Sequence, residues 1–77
     1  SMKKLIDDIV MAFVHRHEEV HIKEVIGDHA HVLELRVSKE DLGKVIGKQG
    51  RTARAMRSIL SAAAARDNKK SRLDILE

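Results

Sequence analysis

The chain contains no cysteine, no proline, no tryptophan and no tyrosine, and Phe13 is its single aromatic residue. Without cysteine there is no disulfide or thiolate metal site to brace a small fold, which fits a reducing compartment. Without aromatic platforms, binding of single strands by base stacking is a poor candidate mode. No apolar run approaches the roughly 20 residues that a membrane span needs, and there is no secretory h-region. The expectation is a soluble, cytoplasmic domain with no membrane partner. At 77 residues the chain makes one small domain, able to bury only about 60% of the surface its unfolded form exposes. Ser1 before Met2 has the form of a tag-cleavage remnant, so the domain is read as residues 2–77.

Acid is also missing from one long stretch. Between Leu42 and Ala65 there is no Asp or Glu, while Lys44, Lys48, Arg51, Arg54 and Arg57 lie there. With Arg66 this segment carries +6, and the nine basic and twelve acidic residues elsewhere sum to −3, giving the formal net of +3. A solvated helix face ordinarily mixes in Glu and Asp. Segregation of one sign favours a polyanionic partner.

Apolar spacing places the elements. Leu5, Ile6, Ile9, Val10, Phe13 and Val14 recur at helical spacing within residues 3–16, with Asp7 and Asp8 early and Arg16 late, as the helix dipole favours. Residues 19–26 and 30–37 read as strands joined by a Gly27-Asp28-His29 turn, an antiparallel hairpin. Leu33, Leu35 and Val37 alternate with Glu34 and Arg36. Val25 falls off the face shared by Val20 and Ile22, so a bulge or change of partner near Glu24 is expected. "SKED" at 38–41 is a capping-box pattern with Ser38 as N-cap and Asp41 where Glu or Gln is usual. It starts a short helix from Lys39 to about Ile46, ended by Gly47. A second helix begins near Arg51, with Ala53, Met56, Ile59, Leu60, Ala63 and Ala64 on its apolar face. "RDNKK" breaks it, and "SRLDILE" supplies a last strand with Leu73 and Ile75 inward.

Enzyme chemistry finds no support in these motifs. Gly43 and Gly47 are too closely spaced for a Walker A loop, and Gln49 stands where Ser or Thr is needed. His15, His17, His21, His29 and His31 offer no clear third metal ligand without cysteine, and read as surface histidines. No nucleophile–base–orienter set can be assembled. The reading is a non-enzyme with no cofactor and no metal.

The step Gly47-Lys48-Gln49-Gly50 joins the two later helices inside the basic stretch. Glycines at both ends let a sugar–phosphate backbone approach without a Cβ clash. N–H groups at the start of the following helix, with its dipole, face phosphate oxygens. Lys48, Arg51 and Lys44 add charge-assisted contacts.

Helix-strand-strand-helix-helix-strand with "VIGKQGRTARAMR" resembles a type II KH domain, in which a GxxG loop clamps about four nucleotides of single-stranded RNA. Across the whole chain, and most of all in "LELRVSKEDLGKVIGKQGRTARAMRSILSAAAA", the sequence is similar to the small bacterial single-KH RNA-binding proteins of the KhpA family. The resemblance implies an α+β fold with a three-stranded mixed sheet against three helices. It also implies a homodimer, or pairing with a larger KH-containing RNA-binding partner, in a pathway of cell elongation and division. Carried onto this chain, it gives the clamp to Gly47, Lys48, Gln49 and Gly50. Ile46 and Ala55 become candidates for an aliphatic groove floor, with Leu42 as either core or groove. Arg36 could reach across from the second strand, Thr52 could bond a phosphate or support the helix start, and Arg54 with Arg57 adds electrostatic capture. Two other readings compete: a helix-turn-helix DNA binder with residues 51–66 as recognition helix, and a KH-fold protein-assembly module.

Overall fold

The computed structural model describes the whole chain, Ser1–Glu77. The first helix, α1, runs Met2–Met11, with the Ser1 hydroxyl accepting the Lys4 N–H. Met2, Ile6 and Val10, spaced by four, form its buried stripe. The helix begins and ends earlier than its apolar spacing predicts. Asp7 and Asp8 therefore fall outside the first turn, where Asp8 pairs with Lys4 on the surface at 3.1 Å. Phe13 and Val14 continue as a turn bonded to the Val10 carbonyl. The chain then departs because the Asp41 carboxylate accepts the His15 and Arg16 N–H groups, each at 2.9 Å. A side chain far along the sequence thus replaces the next helical bonds, and Arg16 does not complete the helix.

Strands β1 (His21–Ile26) and β2 (Ala30–Arg36) form the antiparallel hairpin, closed by the Gly27 N–H on the Ala30 carbonyl at 2.8 Å. Their register is unbroken from His21 opposite Arg36 to Ile26 opposite His31, so no bulge occurs at Glu24. Val25 simply turns to the outer sheet face, opposite Val32, and stays half exposed. The last strand, β3 (Lys70–Leu76), pairs with β2 in parallel, setting Leu33 beside Leu73 and Leu35 beside Ile75. The result is a three-stranded mixed sheet in the order β1-β2-β3.

The parallel pairing requires a crossover, and two helices supply it. Helix α2 (Lys39–Ile46) starts where Ser38 Oγ accepts the Asp41 N–H at 3.2 Å and donates to Asp41 Oδ2 at 2.9 Å. Helix α3 (Arg51–Ala65) buries Ala53, Met56, Leu60 and Ala64, while Ile59, expected inward, remains 43% exposed. Of these, Met56, Leu60 and Ala64 meet Ile6, Val10, Val45, Leu33, Leu35 and Leu73 in one core. Each large aliphatic side chain fully buried there contributes about 1.5–3 kcal/mol. Arg57 fastens α3 to the sheet by donating Nε and Nη2 to the Leu73 carbonyl, at 3.1 and 3.0 Å. His31 is not a surface histidine: it is buried, with Nε2 against the Glu24 carboxylate. The order α-β-β-α-α-β and the mixed sheet agree with the type II KH arrangement expected from the sequence.

Candidate nucleic-acid interface

Between α2 and α3 the chain makes a turn that ordinary residues adopt poorly. Gly47 has φ 80° and ψ 164°, a region essentially restricted to glycine. Its N–H caps α2 on the Gly43 carbonyl at 2.8 Å. Lys48–Gly50 form one 3-10 turn, closed by the Gly50 N–H on the Gly47 carbonyl at 3.0 Å. Gln49 (φ 57°, ψ 25°) and Gly50 (φ 74°, ψ 14°) are both left-handed.

The two glycines are needed for different reasons. A Cβ at Gly47 would collide with the Thr52 side chain and lie 2.7 Å from the Thr52 nitrogen. The Cβ direction at Gly47 therefore points into the corner against Thr52, so packing within the protein already demands glycine there. Thr52 supports the corner from within. At Gly50 the nearest atom to an added Cβ is Arg54 Nη2, at 3.7 Å, so the surface there is open.

Donors collect on that open side. The N–H groups of Lys48 and Gln49 have no acceptor within the protein, whereas those of Gly47 and Gly50 do. Successive outward N–H groups beside left-handed residues form an anion-binding concavity, and the N-terminus of α3 adds its dipole. Lys48 is exposed and has no carboxylate within ion-pair distance. Lys44, half exposed, lies 3.8 Å from Asp41 Oδ1. Asp41 is fully buried. Its carboxylate is held at about 2, against the usual 3.8, chiefly by the Arg16 N–H; burial opposes this, and the His15 N–H, the Ser38 hydroxyl and Lys44 assist. It therefore remains an anion beneath the cationic surface.

Two arginines expected to face a ligand turn back on the loop. Arg51 Nη2 donates to Gln49 Oε1 at 2.8 Å, and Arg54 Nη2 donates to the Gln49 carbonyl at 2.9 Å. Ile46, at the end of α2, is 40% exposed, and Ala55 is exposed one turn into α3. Leu42 is half buried and packs against the core, which assigns it there. Lys44, Ile46, Gly47, Lys48, Gln49, Gly50, Arg51, Thr52, Arg54 and Ala55 thus all lie within residues 44–55, across the α2–α3 corner, with Val45 and Ala53 between them turned into the core.

Arg36 is not part of it. Alternation along β2 turns its side chain to the sheet face away from the buried Leu35 and Val37, where it donates to the Glu77 main-chain oxygen at 2.6 Å. Its neighbours there include His21, Lys39 and Leu76. No set of three or more His, Cys, Asp or Glu side chains is placed to hold a metal ion.

A loop of this kind, between a capped helix and a second helix in a βααβ crossover, is what a KH domain presents. A family model described as the KH domain of KhpA/KhpB matches residues 3–75. The chain belongs to the KhpA/KhpB KH-domain family. It is similar to the RNA-binding protein KhpA of Clostridium perfringens, 49% identical over 75 residues that cover 97% of this chain and 100% of that one. The RNA-binding protein KhpA of Chlamydia caviae is 50% identical over 76 residues, covering 99% and 97%. That of Halalkalibacterium halodurans is 46% identical over 76 residues, covering 99% and 100%. No solved structure matches the chain.

Within this KhpA/KhpB-type domain, the sequence motifs left one structural anchor unread. Asp at the capping-box position is shorter than the usual Glu, and it is this residue that accepts the two N–H groups after α1. The substitution of Asp for Glu was the available signal. Nothing in the local pattern marks its partners, which are main-chain groups.

Proposed function

We propose that this protein is a non-catalytic, cytoplasmic binder of single-stranded RNA, with the Gly47–Gly50 loop holding the sugar–phosphate backbone. The observation that carries this reading is the pair of unaccepted N–H groups at Lys48 and Gln49, facing outward amid Lys44, Lys48, Arg51 and Arg54 with no exposed acid between Leu42 and Ala65. In this reading Lys48 supplies the free cation, Ile46 and Ala55 offer aliphatic contact to bases, and Gly50 leaves the approach open. Arg36 has no part. Arg51 and Arg54, which a duplex-reading helix would project into a major groove, are instead bonded to Gln49, so single-stranded RNA is favoured over duplex DNA.

Contacts to about 3–4 phosphates give a log–log salt slope of roughly −2 to −3, at about 0.7 per contact on a single strand. A four-nucleotide site without aromatic stacking binds weakly, and useful affinity follows when two such sites act together through effective concentration. That supports action as a homodimer or beside a larger KH-containing partner. The family resemblance suggests an RNA chaperone or post-transcriptional regulator tied to cell elongation and division.

Fluorescence anisotropy with a labelled single-stranded RNA at two salt concentrations tests the core of the proposal. Wild type binds in a salt-sensitive way, and Lys48→Asp/Gln49→Asp, confirmed as folded by circular dichroism, loses that binding. Equal binding by both proteins, or none by either, overturns it and favours a protein-assembly role.

A further inference from the structure

The placement of Gln49 is unusual for its residue type. A positive φ at the third position of a four-residue turn ordinarily falls to Gly or Asn. Here the turn Gly47–Gly50 puts a glutamine there, at φ 57°. Three hydrogen bonds surround it. The carbonyl of the Gln49–Gly50 peptide accepts from Arg54 Nη2 at 2.9 Å, and the N–H of the same peptide donates to the Gly47 carbonyl at 3.0 Å. The side-chain Oε1 accepts from Arg51 Nη2 at 2.8 Å. The peptide following Gln49 is thus held at both ends, and its side chain is held as well.

From this geometry we infer that Arg54, assisted by Arg51, is a positioning residue: it locks Gln49 in the left-handed conformation that turns the Lys48 and Gln49 N–H groups outward. The inference rests on the RNA reading above for its consequence, but its structural half does not need RNA. Returning Gln49 to a negative φ would re-aim its N–H and the peptide beyond it, and the anion-binding concavity would be lost. Arg54 belongs to the first turns of α3, five residues beyond Gln49, so a long side chain is needed to reach back, and the rigid planar guanidinium fixes the direction in which Nη2 meets the carbonyl. Donation to a neutral carbonyl leaves the guanidinium charge in place. Charge and bracing are therefore separable: lysine keeps the first and loses the geometry of the second.

Two variants distinguish them. Arg54→Lys retains the cation, and Arg54→Lys/Gln49→Gly replaces the strained glutamine with a residue that adopts a positive φ unaided. Binding is measured by anisotropy with a fluorescein-labelled, mixed-sequence single-stranded RNA across a salt series. Arg54→Lys is expected to weaken binding about tenfold, as when the competent loop falls to about a tenth of the population. The salt slope stays that of wild type, and the double variant recovers most of the loss. Affinity within about twofold of wild type in Arg54→Lys, a slope reduced by about 0.7, or a double variant with no recovery would overturn the inference. In the RNA-free protein, the three-bond amide–Hα coupling of Gln49 should change in Arg54→Lys; an unchanged coupling also overturns it. If wild type fails to bind RNA, the functional reading falls while this coupling still decides the brace.

Discussion

A methyl group added at Gly47 would lie 2.7 Å from the Thr52 nitrogen, whereas one at Gly50 would meet nothing closer than 3.7 Å. Both positions carry a positive φ, which costs a residue with a Cβ about 1–2 kcal/mol. Gly50→Ala is therefore expected to lose about that much stability by urea unfolding, and Gly47→Ala distinctly more. Adding Thr52→Ala to Gly47→Ala should restore little, because the obstructing nitrogen belongs to the backbone; full recovery would refute this account. Asp41 gives a pH prediction with a definite sign. Its carboxyl is depressed from 3.8 to about 2 in the folded protein, so its contribution is complete above pH about 4 and vanishes as pH falls through about 2. Wild type should lose stability across that window. Asp41→Asn, less stable at neutral pH, should lose less over the same window when both are followed by urea titration.

Elements set by their own residues were legible, and elements set by distant ones were not. Ser38 caps α2 and Gly47 ends it where the sequence indicates, because capping hydroxyls and positive-φ glycines act within a few residues. The α2–loop–α3 unit, which holds the candidate site, was readable for that reason. The end of α1 was not, since apolar spacing continues through Phe13 and Val14 while Asp41 draws the backbone away. The orientation of Arg51 and Arg54 was equally hidden: charge and spacing placed them at the loop, but their partner is a carbonyl created by the turn itself. Arg57 illustrates the same limit, reading as one more surface cation yet spanning from α3 to the Leu73 carbonyl. Arg57→Ala should cost about 1.5–3 kcal/mol, the scale of hydrogen bonds that involve a charged group. A lowered urea midpoint with unchanged m-value would show it; an unmoved midpoint would refute it.

On the scale of the whole molecule, charge and topology reinforce one another. The cations of residues 42–66 sit in the crossover between the two parallel strands, and the body around them carries a net −3. Under the function proposed above, this charge distribution would draw a polyanion toward the crossover, with an association rate expected to fall as ionic strength rises. The β1–β2 hairpin closes over Gly27-Asp28-His29, but β2 pairs with β3 across a long separation in sequence, from Ala30 beside Lys70 to Arg36 beside Leu76. Long-range pairing must meet its loop-closure entropy before its contacts reward it. Docking of β3 is thus expected late in folding. Leu73→Ala, at a site only 2% exposed, should cost about 2–5 kcal/mol and act mainly by speeding unfolding, with little change in the folding rate; a slowed folding limb in the chevron would contradict this order. The consequence reaches beyond kinetics. The Gly47–Gly50 loop is strung between the two strands expected to join last, so under the function proposed above a nascent or partly melted copy would hold the cations without the finished fold, and recognition would certify that folding is complete.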